Sequence, residues 1–327
     1  MAKVQRMIES SVDGCSRVSR QRRRPRRLLL SLGLLALAAG LVGCAPDPAP
    51  DPEAEGEGGP DQAAQELTVC MYSGFAPFTS LDPSNQWVGW DVAFLQRFAE
   101  SQGRELTPVT QAEFKNIWQK PGQPGPPCEI AASGISDSQA RRDDSPGTLW
   151  TEHYFSVERA FAVRTAARDQ ELGCGAHEPL DDIQDLVGKA VIVTQDSTAD
   201  LDLQHRAQAA GLPIELSCDE AVPGSLCVGY TDNEEEAAEK VANDCEVFAY
   251  GGGDGSIECL ATKLAPDLEE AWRHRYMNEN GMEVDEPFSF VVTAQERNLF
   301  DALNGFIGAN KGSYKTEPPP GCEPSSG

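Results

Sequence analysis

Two α/β lobes, each a mainly parallel sheet flanked by helices and the pair joined by two hinge segments, are the fold class that the sequence predicts. Three observations predict it. The chain has 327 residues, more than the roughly 100–200 of an ordinary single domain. Short β-runs alternate with segments of helical apolar spacing, the pattern of parallel sheets covered by helices. That alternation comes in two blocks, separated by a polar stretch from Thr165 to Glu178.

The first element is a leader, residues 1–43. Arg20 to Arg27 form a basic cluster, and Leu28 to Val42 follow with only Leu, Ala, Gly, Val and one Ser. A charged start before a short apolar run is the pattern of a secretory signal peptide. Leu41-Val42-Gly43-Cys44 then resembles the bacterial lipobox. That resemblance implies cleavage before Cys44, acylation of its thiol with a diacylglycerol and palmitate-type chains, and a membrane anchor. Residues 44–66 are rich in Pro, Asp, Glu, Gly and Ala. They lack the apolar side chains needed to offset the entropy of ordering them, and read as a tether.

The body opens with a strand from Leu67 to Tyr72. Val88 to Phe98 has helical spacing at Val92, Phe94, Leu95 and Phe98, and Glu129 to Ser133 is a second β-run. The second block begins with a strand from Val187 to Val193 and a helix from Thr198 to Ala210. A helix from Glu234 to Val241 then leads into a strand from Glu246 to Tyr250. A strand from Phe288 to Val292 and a helix from Gln295 to Ala309 close the series. These assignments give a first lobe of residues 67–163 and 288–317, a second of 164–287, and a tail of 318–327 that is loose except at Cys322, its one candidate for a fixed point. The hinge segments fall near Phe161 to Arg164 and Glu286 to Phe290.

Charge and cysteines limit the partners. The chain carries 27 Lys and Arg against 52 Asp and Glu, a formal net charge of −25. Nine of those basic residues lie in the leader, so the body is more acidic still and lacks the positive footprint that nucleic acid needs. Cys15 lies in the leader and Cys44 directly after it. Eight cysteines remain in the body with no CxxC pair, which favours disulfides over a metal site and excludes no connectivity. Cys218 and Cys227, nine apart across a Pro-Gly loop, are expected to pair. Cys70 and Cys128 flank strands expected to be neighbours, and are expected to pair also.

The residues after the first strand carry a family likeness. Phe75-Ala76-Pro77-Phe78 and Val88-Gly89-Trp90-Asp91-Val92 are two parts of it; Gly134-Ile135-Ser136-Asp137-Ser138-Gln139-Ala140-Arg141 is the third. In order and spacing they resemble the type II periplasmic binding proteins, in the family of polar amino-acid binders of ABC importers. Val193-Thr194-Gln195-Asp196-Ser197-Thr198 and Trp150 to Phe155 resemble later segments of that family, and the likeness runs from Leu67 to Tyr314. It implies the type II fold and an extracytoplasmic lipoprotein that captures a small amino-acid-like ligand by lobe closure for an ABC permease. It implies no enzyme, no cofactor, no metal and a monomer.

The resemblance also assigns residues. Phe75 becomes an aromatic wall, with a core residue beside Phe78 as the alternative. Gly134, Ser136 and Arg141 become a carboxylate site, because a planar guanidinium fork and a hydroxyl on a turn suit that group. Arg142 stays open as the competitor of Arg141. Asp91 is expected to cap the helix it starts. Ser197 and Thr198 offer a helix N-terminus to the ligand or serve as caps alone, and Asp196 stands where the family has Gly. Asp254, after the Gly-rich loop Gly251-Gly252-Gly253, becomes an ammonium partner, or part of an ordinary turn or a metal-binding loop. A sensory or scaffold lipoprotein of the same fold remains an alternative, with a dehydratase or other enzyme behind it.

Overall fold

The computed structural model describes residues 65–218, 220–315 and 321–322. The leader, Cys44 and the tether lie outside the described residues. Two sheets organise the rest. The first has five strands in the order Arg104–Gln111, Gln65–Tyr72, Ile130–Ala131, Val291–Thr293, Thr148–Trp150. Its first three strands are parallel, and Val291–Thr293 runs antiparallel to both of its neighbours. The second has six, in the order Ile214–Leu216, Leu226–Thr231, Ala190–Thr194, Val247–Gly253, Arg159–Arg164, Leu268–His274. Four of these are parallel, and Arg159–Arg164 is antiparallel to the strands on either side.

Among the described residues seven helices accompany these sheets: α1 (Trp90–Ser101), α2 (Gln139–Asp143), α3 (Ala166–Leu172), α4 (Thr198–Ala210), α5 (Glu234–Asn243), α6 (Asp254–Lys263) and α7 (Arg297–Asn310). The apolar spacing read in the sequence is the buried face of α1, where Val92, Phe94, Leu95, Phe98 and Ala99 meet the first core. Gly89 starts this helix at φ 130°, and a Cβ there would lie 2.2 Å from the Phe78 carbonyl, so only glycine fits. Leu299, Leu303 and Ile307 of α7 close the same core. The second sheet is covered on both faces, with one cluster around Val241, Tyr250, Ile257 and Leu260 and another around Val191, Leu203 and Leu226. Strands buried on two faces read as continuous apolar runs, as Ala190–Thr194 does.

Two short strands, Phe155–Val157 and Glu286–Phe288, pair antiparallel between the two sheets. The chain therefore crosses near Phe155–Glu158, and the expected hinge at Phe161–Arg164 is corrected. Those residues are ladder-bonded on both sides within the second sheet. Residues 159–163 move with it out of the first lobe. The polar stretch at Thr165 to Glu178 holds α3, capped by the Thr165 side chain and ended at Gly173 in the left-handed conformation. The expected strand from Phe288 to Val292 is two strands, interrupted at Ser289 and Phe290. Gly251 to Gly253 extend their strand and are not a loop.

The eight body cysteines form four disulfides: Cys70–Cys128, Cys174–Cys245, Cys218–Cys227 and Cys259–Cys322. Both expected pairs are among them. Cys322 is buried, so this point of the tail is fixed to α6.

Candidate ligand cleft

Side chains from both halves converge where the chain crosses. Ser136 forms a bridge with Phe288, which places its hydroxyl beside the second crossing strand. Ser136 Oγ donates to Glu286 Oε1 at 2.5 Å. From the other half, Thr198 Oγ1 at the start of α4 donates to the same oxygen at 2.6 Å and lies 3.2 Å from Ser136 Oγ. Arg159 Nε sits 2.8 Å from Glu286 Oε2, a charge contact without an aligned hydrogen bond. Glu286 and Arg159 are each only 3% exposed.

Arg141 faces this cluster, and Arg142 does not. Arg141 is 5% exposed, with its guanidinium 4.4 Å from the centre of the Trp118 ring and 5.6 Å from that of Phe114. Nη1 donates to the Ser136 carbonyl at 3.1 Å, and Nη2 reaches the Asp196 carbonyl of the other half at 3.4 Å. Burial pushes its pKa down to about 10, while the charge of Glu286 acts in the opposite direction. Arg142 instead points outward in a pair with Asp137. Phe75 stacks on Phe114, with ring centres 5.2 Å apart, so it continues the aromatic wall that carries Arg141.

Other expected site residues have different work. Gly134 sits at φ 56° beneath Phe75 and Phe288, where a Cβ would come within 3.0 Å of both rings. Its N–H goes to Asp91 Oδ2 at 2.8 Å. Asp91 therefore does not cap α1; Gly89 is at that position, and the buried Asp91 carboxylate also accepts from Ser133 N and Tyr314 Oη. Burial raises its pKa, against the pull of these hydrogen bonds. Ser197 is the cap of α4, accepting from Asp200 N at 3.3 Å. Asp196 pairs with Lys115 across the cleft at 2.6 Å. Asp254 heads α6, accepts from Gly255 N and Glu158 N, and lies 3.3 Å from Arg273. Its carboxylate does not join Ser136, Arg141 and Thr198.

Glu286, Arg159, Phe114, Trp118 and Glu234 were not singled out as binding residues from the sequence. Single charges inside apolar strands, as in Arg159-Ala160-Phe161-Ala162-Val163, were the available signal, since such groups are seldom buried without a partner. A cavity of about 930 Å³ is lined from one half by Tyr72 and Gln111 and from the other by Asp232, Glu234, Glu235 and Lys263; its Tyr72 ring lies 6.2 Å from that of Phe114, over which Arg141 sits. Tyr72 Oη donates to the Asp232 carbonyl across the cavity. Among the described residues no cluster of His, Cys, Asp and Glu could hold a metal ion.

A two-lobed α/β framework with a polar cleft at its crossings is the architecture of solute-binding proteins, and solved structures of that class are similar to this chain. An ancestral arginine-binding protein bound to arginine superposes with a TM-score of 0.59 at 18% identity, over 77% of this chain and 96% of that one. A Salmonella typhimurium periplasmic binding protein described for high arginine specificity gives 0.59 at 17%, over 77% and 96%. The amino acid ABC transporter substrate-binding protein AbpA from Streptococcus pneumoniae, bound to L-arginine, gives 0.56 at 18%, over 76% and 90%. At these identities the likeness is one of fold. No family model matches the chain, and no curated protein does.

Proposed function

We propose that this protein is an extracytoplasmic substrate-binding lipoprotein, anchored through Cys44, that captures a small amino-acid-like ligand and presents it to an ABC permease. The observation that carries this is the convergence of Ser136 and Arg141 from one half with Thr198 and Asp196 from the other, at the crossing of a binding-protein fold. Phe75, Gly134 and Ser197 act behind these groups as wall, turn and cap, and Asp254 keeps its place in the second half through Arg273. A ligand stabilises the closed form only by contacts that the open form lacks. The role requires no covalent chemistry. Among the described residues no helix is long and apolar enough to cross a membrane.

Thermal-shift screening of the purified chain against amino acids, opines, small amines, guanidines and organic acids tests the role. A rise in Tm with at least one amino acid or close analogue is expected. A flat response to every compound sinks it. Mass spectrometry of membrane-extracted protein is expected to find a diacylated N-terminal Cys44 peptide.

A further inference from the structure

The hydroxyls that the sequence assigns to a ligand carboxylate already hold one. Glu286 Oε1 accepts from both Ser136 and Thr198, and Oε2 faces Arg159. The Arg141 fork spends donors on the Ser136 and Asp196 carbonyls and sits over Trp118, 4.4 Å from the ring centre. A second carboxylate brought to these hydroxyls would stand within hydrogen-bonding range of Glu286, and two like charges sharing one set of donors cannot both stay ionised cheaply.

The open volume has the opposite preference. Asp82, Asp232, Glu234 and Glu235 line the cavity, and its one lysine, Lys263, is paired with Glu235 at 2.8 Å. Glu234 is 3% exposed. Its Oε1 accepts from Tyr250 Oη, and its Oε2 is buried without a hydrogen-bond partner. Ser256 is near enough to steady the charged carboxylate, but gives its proton to the Ala76 carbonyl at 2.7 Å. A buried acceptor left unsatisfied beside an acidic cavity asks for a donor that carries positive charge.

We propose that Glu286 stands in for a ligand carboxylate, and that the ligand is a small organic cation without one, an amine or a guanidine, held in the cavity by Glu234. This rests on the binding role proposed above and narrows it. Exclusion of α-amino acids then comes from a built-in repulsive charge as much as from attraction to the cation.

Matched pairs that differ only by the carboxylate test it: arginine against agmatine, and lysine against cadaverine, titrated calorimetrically into the full-length chain. The expected result is at least ~10-fold tighter binding of the amine in one pair, corresponding to about 1.4 kcal/mol. Glu286→Gln, which keeps the shape and removes the charge, is expected to shrink that preference at least several-fold. Glu234→Gln is expected to weaken amine binding at least ~10-fold. An amino acid that binds as tightly as its amine, or tighter, overturns the inference and leaves the binding role standing. An amine preference unchanged in Glu286→Gln overturns the part given to Glu286, and the comparison in the unaltered chain stands whether or not that variant folds. Failure of every pair and of the wider screen overturns both.

Discussion

Glu234 shows what burial does to one carboxyl. Desolvation raises its pKa to about 8 from an ordinary 4.5, against the hydrogen bond of Tyr250 and the nearby Ser256 hydroxyl. Between those values the folded chain holds a proton that the unfolded chain has released. The stabilising effect of the neutral form is therefore complete below about pH 4.5 and is lost as pH rises through about 8. Glu234→Gln is expected to flatten this part of the stability profile and to raise Tm at pH 8 relative to the unaltered chain. Denaturation followed from pH 5 to pH 9 checks it; parallel profiles for the two proteins would contradict the assignment. Bound cation favours the charged carboxylate, so affinity for the ligand should also rise across this range.

At the scale of elements, Ser197 and Thr198 separate a structural from a cleft role. Ser197 caps α4, so Ser197→Ala is expected to cost about 1 kcal/mol of stability with ligand affinity unchanged in titration; a large loss of affinity at full stability would move Ser197 into the site. Helices with a one-sided apolar stripe, α1 and α7, were legible, and α4, whose buried face is largely polar, still spans the residues expected of it, Thr198 to Ala210. What escaped were elements whose sequence speaks against them. The α3 helix is short and polar, and is held by a cap and by the Arg164–Asp169 pair that tertiary contact supplies. Gly251 to Gly253 carry a loop composition into a buried strand, where a Cβ at Gly251 would lie 2.9 Å from the Phe161 ring. Arg141 could be picked because the segment Gly134 to Arg141 resembles a family motif. Glu286 could not, because its meaning depends on two hydroxyls 150 and 88 residues away.

For the whole molecule, the two halves already touch through side chains. Arg141 to Asp196, Lys115 to Asp196, Tyr72 to Asp232 and Ser256 to Ala76 all cross between them. Arg141 contributes to both sides of the closure, so Arg141→Ala is expected to enlarge the radius of gyration in solution scattering and weaken ligand binding at least ~10-fold. Unchanged scattering together with unchanged affinity would remove Arg141 from that role. The Cys259–Cys322 disulfide bears on the same movement. Cys259 belongs to α6 on the second sheet, while Cys322 follows Tyr314, which is buried in the first core. From Tyr314 to Cys322 the chain can extend by only about 3.6 Å per residue, so this third covalent crossing sets a ceiling on how far the mouth can gape. Replacing both cysteines by serine should lengthen the longest distances between spin labels on α1 and α5 without displacing the short ones. How far the two halves can part, and with it the bulk of solute the cleft can admit, then depends on whether the surroundings keep Cys259 and Cys322 oxidised.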